Sequence, residues 1–267
     1  FSCQLIMNFN NTPLWTVKSD KAITVRLIKN ENNVITEELE KIINDLPPTL
    51  IMPKGYIIEG RTKITPNNSI ENLPKELWVK KVWNNCIITS EAYKPKPNPK
   101  MLPVINKVIE FIEEEFDNQS DVLILDDGAH EIADLIWIQG SAHTIYYIHC
   151  KPSKTSKPGC RKSDCDIVFT QAMRSVHWVC SEFMFERINE RLGGDSKIIF
   201  GSQHLLDDIA QTFRVNEWQY KIVVAQPGFD IEKVSNKRRK NNNVYELAIP
   251  TYERIIAGLA DFEIWGS

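Results

Sequence analysis

Two short stretches of this chain carry the residue types that chemistry requires. Glu131-Ile-Ala-Asp134-Leu-Ile-Trp-Ile and Ile145-Tyr-Tyr-Ile-His149-Cys-Lys151 read as β-strands, at 131–139 and 144–151, joined by a Gly-Ser turn. Side chains two apart on a strand share a face. His149 and Lys151 therefore project together, beside Asp134. A carboxylate, an imidazole and a lysine on adjoining strands are the groups that metal-assisted phosphodiester cleavage uses. An aspartate inside an apolar strand is costly to bury without a partner, which favours a functional Asp134. Lys151 has a bland alternative, a strand-end lysine reaching into solvent. His149 reads equally as a ligand or as a satisfied core histidine.

The charge pattern changes sign at this point. From Val108 to Cys150 there are ten acidic residues and no Lys or Arg; from Lys151 to Lys162 there are five basic residues and no acid. A second basic run, Lys237-Arg238-Arg239-Lys240, lies nearer the C-terminus. Acid followed by base suits a metal beside a phosphate. A solvated helix face followed by a solvated loop gives the same pattern. On the phosphate reading, Lys154, Arg174, Arg238 and Arg239 contact a nucleic-acid backbone.

The flanking elements must hold those strands. Met101 to Phe116 places Leu102, Ile105, Val108, Ile109, Ile112 and Phe116 on one helical stripe. Val122-Leu-Ile-Leu125 is a continuous apolar run, as in a strand buried on both faces, and Asp126-Asp-Gly128 turns after it. Asp164 can cap a helix running to about Ser181. Ile198–Phe200 and Tyr220–Val224 are further strands, with a helix at Leu205–Phe213 between them and a last helix at Tyr245–Leu259 despite Pro250. Residues 1–92 read as a small α+β domain, with a strand at 22–28, a helix at 36–43 and strands near 50 and 56. The prolines of Tyr93-Lys-Pro-Lys-Pro-Asn-Pro-Lys100 favour an extended linker, so the second domain is expected at 101–267. Strands followed by alternating helices predict an α/β fold, a mixed sheet covered by helices.

Composition excludes little else. The 267 residues are 42% hydrophobic and 25% charged with net charge −3, ordinary for a globular chain. No apolar run is long enough to span a bilayer, so no membrane partner is expected. Six scattered cysteines suit a reduced, cytoplasmic protein better than a disulfide framework. Cys160, Cys165, His177 and Cys180 are zinc-capable types, but their spacing is poor for a structural site. The first residues lack a signal peptide and an initiator Met, which reads as a fragment, a domain or a processed chain.

The element order helix, three strands, helix, strand resembles the core of the PD-(D/E)XK (restriction-endonuclease-like) nuclease superfamily. Glu131-Ile-Ala-Asp134 resembles its metal-binding strand, and His149-Cys-Lys151 falls where its (D/E)-x-K signature would lie. The stretch from Asp126 to Trp178 is also similar to a nuclease-like module of bacterial helicase-linked phage-defence proteins. The resemblance implies a divalent-metal-dependent DNA endonuclease using Mg²⁺ or Mn²⁺. Asp134 would bind the metal. Lys151 would orient or help deprotonate water and stabilise the scissile phosphate, and Gln171, with Arg174 one turn later, would hold the nucleophile or a phosphate. Glu113 would be an extra metal ligand. The implied partners are DNA and a helicase or other defence-system subunit, with a homo-oligomer also open. His149 departs from the signature, standing where the second acid belongs. Three consequences stay open: a softer metal with His149 as ligand, an acid from elsewhere (Asp126, Asp127 or Glu131), or a fold that binds nucleic acid or a protein without cleaving.

Overall fold

The computed structural model describes residues 73–267, apart from 127, 129, 130, 195 and 237–241, and little before residue 73 beyond the backbone of short strands. The chain divides into two compact units, Phe1–Glu71 and Asn72–Ser267.

In the first unit β1 (Cys3–Met7) pairs antiparallel with β2 (Trp15–Ser19), and β3 (Thr24–Asn30) with β4 (Asn33–Glu38). Strands β5 (Leu50–Ile51), β6 (Ile57–Glu59) and β7 (Thr62–Ile64) form a third small sheet. The helix expected from Thr36 is corrected at its start. Thr36 lies inside β4, paired with Arg26, and the β-branched Val34-Ile35-Thr36 favours a strand.

The second unit is built on one seven-stranded sheet. Its strands are β8 (Trp78–Lys80), β9 (Asp121–Leu125), β10 (Leu135–Gln139), β11 (Thr144–Cys150), β12 (Lys197–Phe200), β13 (Gln219–Ala225) and β14 (Asp261–Gly266), in the order β12-β9-β10-β11-β13-β14-β8. Strands β12, β9, β10 and β11 run antiparallel in turn; β11, β13, β14 and β8 run parallel. The fold is thus a mixed α/β sheet flanked by helices.

Alternation sorts the two faces. One carries Leu123, Leu125, Leu135, Trp137, Ile148, Cys150, Val223 and Ala225, packed against the apolar stripe of helix α1 (Val104–Glu113). The other carries Ile136, Tyr147, His149, Ile222 and Val224, all buried. Helix α2 (Asp166–Ser175) covers it, packing on β11, β13 and on α6 (Asn243–Ala257). Between these lie α3 (Met184–Leu192), α4 (Gln203–Thr212) and the single turn α5 (Ile231–Val234).

The domain boundary differs from the sequence expectation. Strand β8 belongs to the large sheet, and Trp78 stacks on Tyr245 of α6 with ring centroids 5.9 Å apart. The proline-rich stretch 93–100 lies within the second unit. Asn106 clamps it, accepting from Lys94 N at 2.8 Å and donating to Lys94 O at 2.9 Å. Residues 93–100 therefore do not link two domains.

Four elements also depart from expectation. Helix α1 begins only at Val104, with Pro103 in an extended conformation at its N-cap. The helix expected from Asp164 is α2 flanked by 3₁₀ turns, and Asp164 itself is buried against Arg161. Helix α3 and strand β14 were not anticipated. The last helix forms as expected: α6 runs through Pro250, which is exposed, so the carbonyl that loses its partner can meet water.

Candidate active site

The site forms where β10 begins and β11 ends. Leu135 pairs with Ile148, so Asp134 and His149 stand opposite one another just beyond the last ladder rung. The strand expected from 131 starts only at Leu135. Asp126 ties down Ile132 and Asp134, just before β10. Its carboxylate accepts from Ile132 N at 2.7 Å and bonds buried Arg191 and Ser196, while its own amide donates to Asp134 O at 3.0 Å. Those bonds occupy Asp126, so it does not serve as the missing second acid. Asp127 lies outside the described residues.

Asp134 is buried, and its Oδ2 accepts from Cys150 N at 2.8 Å. Burial, with the neighbouring Glu131 charge, pushes its pKa up to about 7; Lys151 opposes the rise. Glu131 lies at the pocket wall, and burial raises its pKa as well. Its Oε1 accepts from Gln171 Nε2 of α2 at 2.8 Å. Lys151 follows β11 and binds Glu91 Oε1 at 2.5 Å. Burial alone would lower the Lys151 pKa, but the Glu91 hydrogen bond and the charges of Asp134, Glu91 and Glu131 outweigh it and raise the value. Lys151 is therefore a permanent ammonium. Help in deprotonating water, one of the two tasks expected of it, does not suit a group that holds its proton.

His149 is buried. Its Nε2 lies 2.6 Å from Ser175 Oγ on α2, and its Nδ1, 3.8 Å from Asp134 Oδ2, has no hydrogen-bond partner. Burial, with Lys151 nearby, lowers its pKa to about 3. It stands at the site as a neutral imidazole.

A pocket of about 190 Å³ is lined by Glu131, His149, Gln171, Arg174 and Trp178 among others. Gln171 and Arg174, one turn apart, both face it.

Of the residues singled out from the sequence, Asp134, His149, Lys151, Gln171 and Arg174 come together. Glu113 does not. It is exposed at the end of α1, the helix that covers the opposite face of the sheet. Lys154 is exposed on the following loop, its amide bonded to Asp164 Oδ1 at 3.1 Å, and does not line the pocket. Arg238 and Arg239 lie outside the described residues. Glu91 is a site neighbour that sequence reasoning missed. It sits in the extended segment before α1, fixed where Ser153 N donates to Ile88 O at 2.6 Å and Ile105 N to Glu91 O at 3.3 Å. No spacing rule connects it to Lys151, 60 residues away.

Among the described residues, no group of three or more His, Cys, Asp or Glu side chains is arranged to hold a metal ion. The donors that could take part are Asp134, Glu131 and the bare Nδ1 of His149. Magnesium and its congeners commonly use one or two carboxylates and fill the remaining positions with water and substrate phosphate. A buried Asp134 and a half-buried Glu131, both with raised pKa values, share the positive charge of Lys151, and the buried Nδ1 of His149 has no hydrogen-bond partner. No known protein family, curated protein or solved structure matches the chain.

Proposed function

We propose that the unit Asn72–Ser267 is a divalent-metal-dependent nuclease module of the PD-(D/E)XK type, acting on DNA. The observation that carries this reading is the seat of Lys151. One ammonium lies within the shared field of Glu91, Glu131 and Asp134, at the point where β10 and β11 part. The antiparallel run β9-β10-β11 with β13 parallel to β11, and helices α1 and α2 on opposite faces, supports it further.

The side chains divide the work. Lys151, always charged, stabilises negative charge developing at the scissile phosphate. Glu131, half-buried at the pocket wall with a raised pKa, is suited to accept the proton of the attacking water near neutral pH. Gln171 orients that carboxylate through its 2.8 Å hydrogen bond. Arg174 faces the pocket from the same helix and binds a phosphate oxygen. Asp134 and His149, 3.8 Å apart, would hold the divalent ion. The ion, when bound, acidifies water and polarises the phosphoryl oxygen.

The deciding experiment is a metal titration (Mg²⁺, Mn²⁺, Co²⁺, Ni²⁺) of cleavage by the parent chain and by Lys151→Ala. Substrates are single- and double-stranded DNA and RNA. Divalent-dependent DNA cleavage that Lys151→Ala abolishes is the expected result; cleavage surviving both Asp134→Ala and Lys151→Ala overturns the site. The neutral, buried His149 at the second-acid position favours one other reading, a nuclease-fold module that binds nucleic acid or a protein partner without cutting it. Binding of DNA with no cleavage under any of the four ions would select it.

A further inference from the structure

His149 has its two ring nitrogens in different circumstances, and the hydrogen bonds around Ser175 decide which one carries the proton. Ser175 is buried at the end of α2. Its Oγ lies 2.8 Å from the carbonyl oxygen of Ile132, which can only accept. The single hydroxyl proton of Ser175 is thereby committed to Ile132. Toward His149 Nε2, at 2.6 Å, the same oxygen can only accept. The imidazole must donate there, so its proton sits on Nε2. Nδ1 then carries a bare lone pair, and this is the nitrogen without a hydrogen-bond partner, 3.8 Å from Asp134 Oδ2. His149 also lines the pocket. The separation is less than twice an ordinary metal–ligand distance of about 2.1 Å, so one ion can reach both atoms.

We infer that Ser175 is a positioning residue that locks His149 in the Nε2–H tautomer, making Asp134 and His149 Nδ1 an oxygen–nitrogen pair that selects a first-row transition ion over Mg²⁺. The inference rests on the metal-dependent chemistry proposed above. Imidazole nitrogen is a poor ligand for Mg²⁺, whereas affinity for nitrogen sites rises from Mn²⁺ toward Co²⁺ and Ni²⁺. A metal-binding histidine almost always donates its far N–H to an outer-shell acceptor, the part Ser175 takes here, and loss of such a partner typically costs about 10- to 100-fold in metal affinity.

Two measurements on the whole chain test this, neither of them activity. The first is ¹⁵N NMR of the histidine side chains without metal. His149, identified by its loss in His149→Gln, is expected with its proton on Nε2; a proton on Nδ1 overturns the inference. The second is calorimetric titration with Mg²⁺, Mn²⁺ and Co²⁺. Co²⁺ is expected to bind at least about tenfold tighter than Mg²⁺. Ser175→Ala should weaken Co²⁺ by about 10-fold or more and leave Mg²⁺ nearly unchanged, and Ser175→Thr, which restores the hydroxyl, should recover Co²⁺ binding. Equal affinities for Mg²⁺ and Co²⁺, or a parallel loss of both in Ser175→Ala, overturn it. Selective Co²⁺ binding with no cleavage of any nucleic acid would uphold the ligand pair and defeat the nuclease reading.

Discussion

The amide of Cys150 donates to Asp134 Oδ2 at 2.8 Å, so the last residue of β11 fixes a carboxylate that lies just outside β10. The buried acid is thus positioned by the strand opposite, and its charge state is set by where that strand places it.

Stability should depend on pH through Asp134. Its folded pKa of about 7 stands above the ordinary 3.8, so between those values the native protein keeps a proton that the unfolded chain has released. Stability from this group is complete below pH 3.8 and falls as pH rises toward 7, by about 4 kcal/mol for roughly three pKa units. His149 acts with the opposite sign: its folded value of about 3 lies below 6.5, so stability is lost as pH falls through that window. Asp134→Asn should therefore gain a few kcal/mol over the parent at pH 8 and nothing at pH 4, where His149 is common to both. Urea unfolding at the two pH values in a metal chelator checks this. An equal effect at both would deny Asp134 its raised pKa.

Lys151 and Glu91 should separate in kinetics. Lys151→Ala removes the only ammonium assigned to the scissile phosphate and should lower kcat/KM for DNA cleavage by about 10²- to 10⁴-fold. Glu91→Gln leaves that ammonium in place and should cost far less. An equal loss in the two variants would move Glu91 from holding Lys151 into the reaction itself.

Asp126 should prove structural. Asp126→Ala strips a buried carboxylate from Arg191 and releases Ile132 N and Ser196 together. The expected loss is about 3–5 kcal/mol, measured by chemical denaturation. Ser196→Ala, which removes one neutral donor, should cost about 1 kcal/mol.

Truncation should locate the boundary. A chain beginning at Asn72 keeps β8 and Glu91 and should fold with a cooperative thermal transition. One beginning at residue 101 bares the edge of β14 and loses the Asn106 clamp on residue 94. It should aggregate or melt without cooperativity by circular dichroism.

The three central strands could be read from the chain because burial on both faces, or nearly so, writes itself as apolar runs, as in Val122–Leu125 and Ile145–Ile148. The strand pair also brought Asp134 and His149 together by register alone. Long-range partners left no such mark. The run 77–83 reads as a strand, and β8 forms within it, but its sheet partner follows it by most of the chain. Strand β14 shows alternation in Phe262, Ile264 and the intervening Glu263, but it follows a long helix whose apolar pattern runs up to it. Glu91 carries no motif, since its place depends on how an extended segment crosses the end of the sheet. Glu113 misled because helical spacing says which residues share a stripe and not which face of the sheet the helix will cover.

Strand alternation also bears on reactivity toward thiol reagents. Cys150 lies between His149 and Lys151, yet its sulfur points to the α1 face, fully buried, and burial raises its pKa well above the ordinary thiol value. A thiol that does not ionise is neither alkylated nor readily oxidised. Cys86 and Cys165 are similarly silenced, each pushed up to about 12 by burial. Cys180, exposed two residues after the pocket-lining Trp178, is the thiol open to labelling there. A fluorophore attached to it would report on the pocket while the cysteine beside the ammonium stayed untouched.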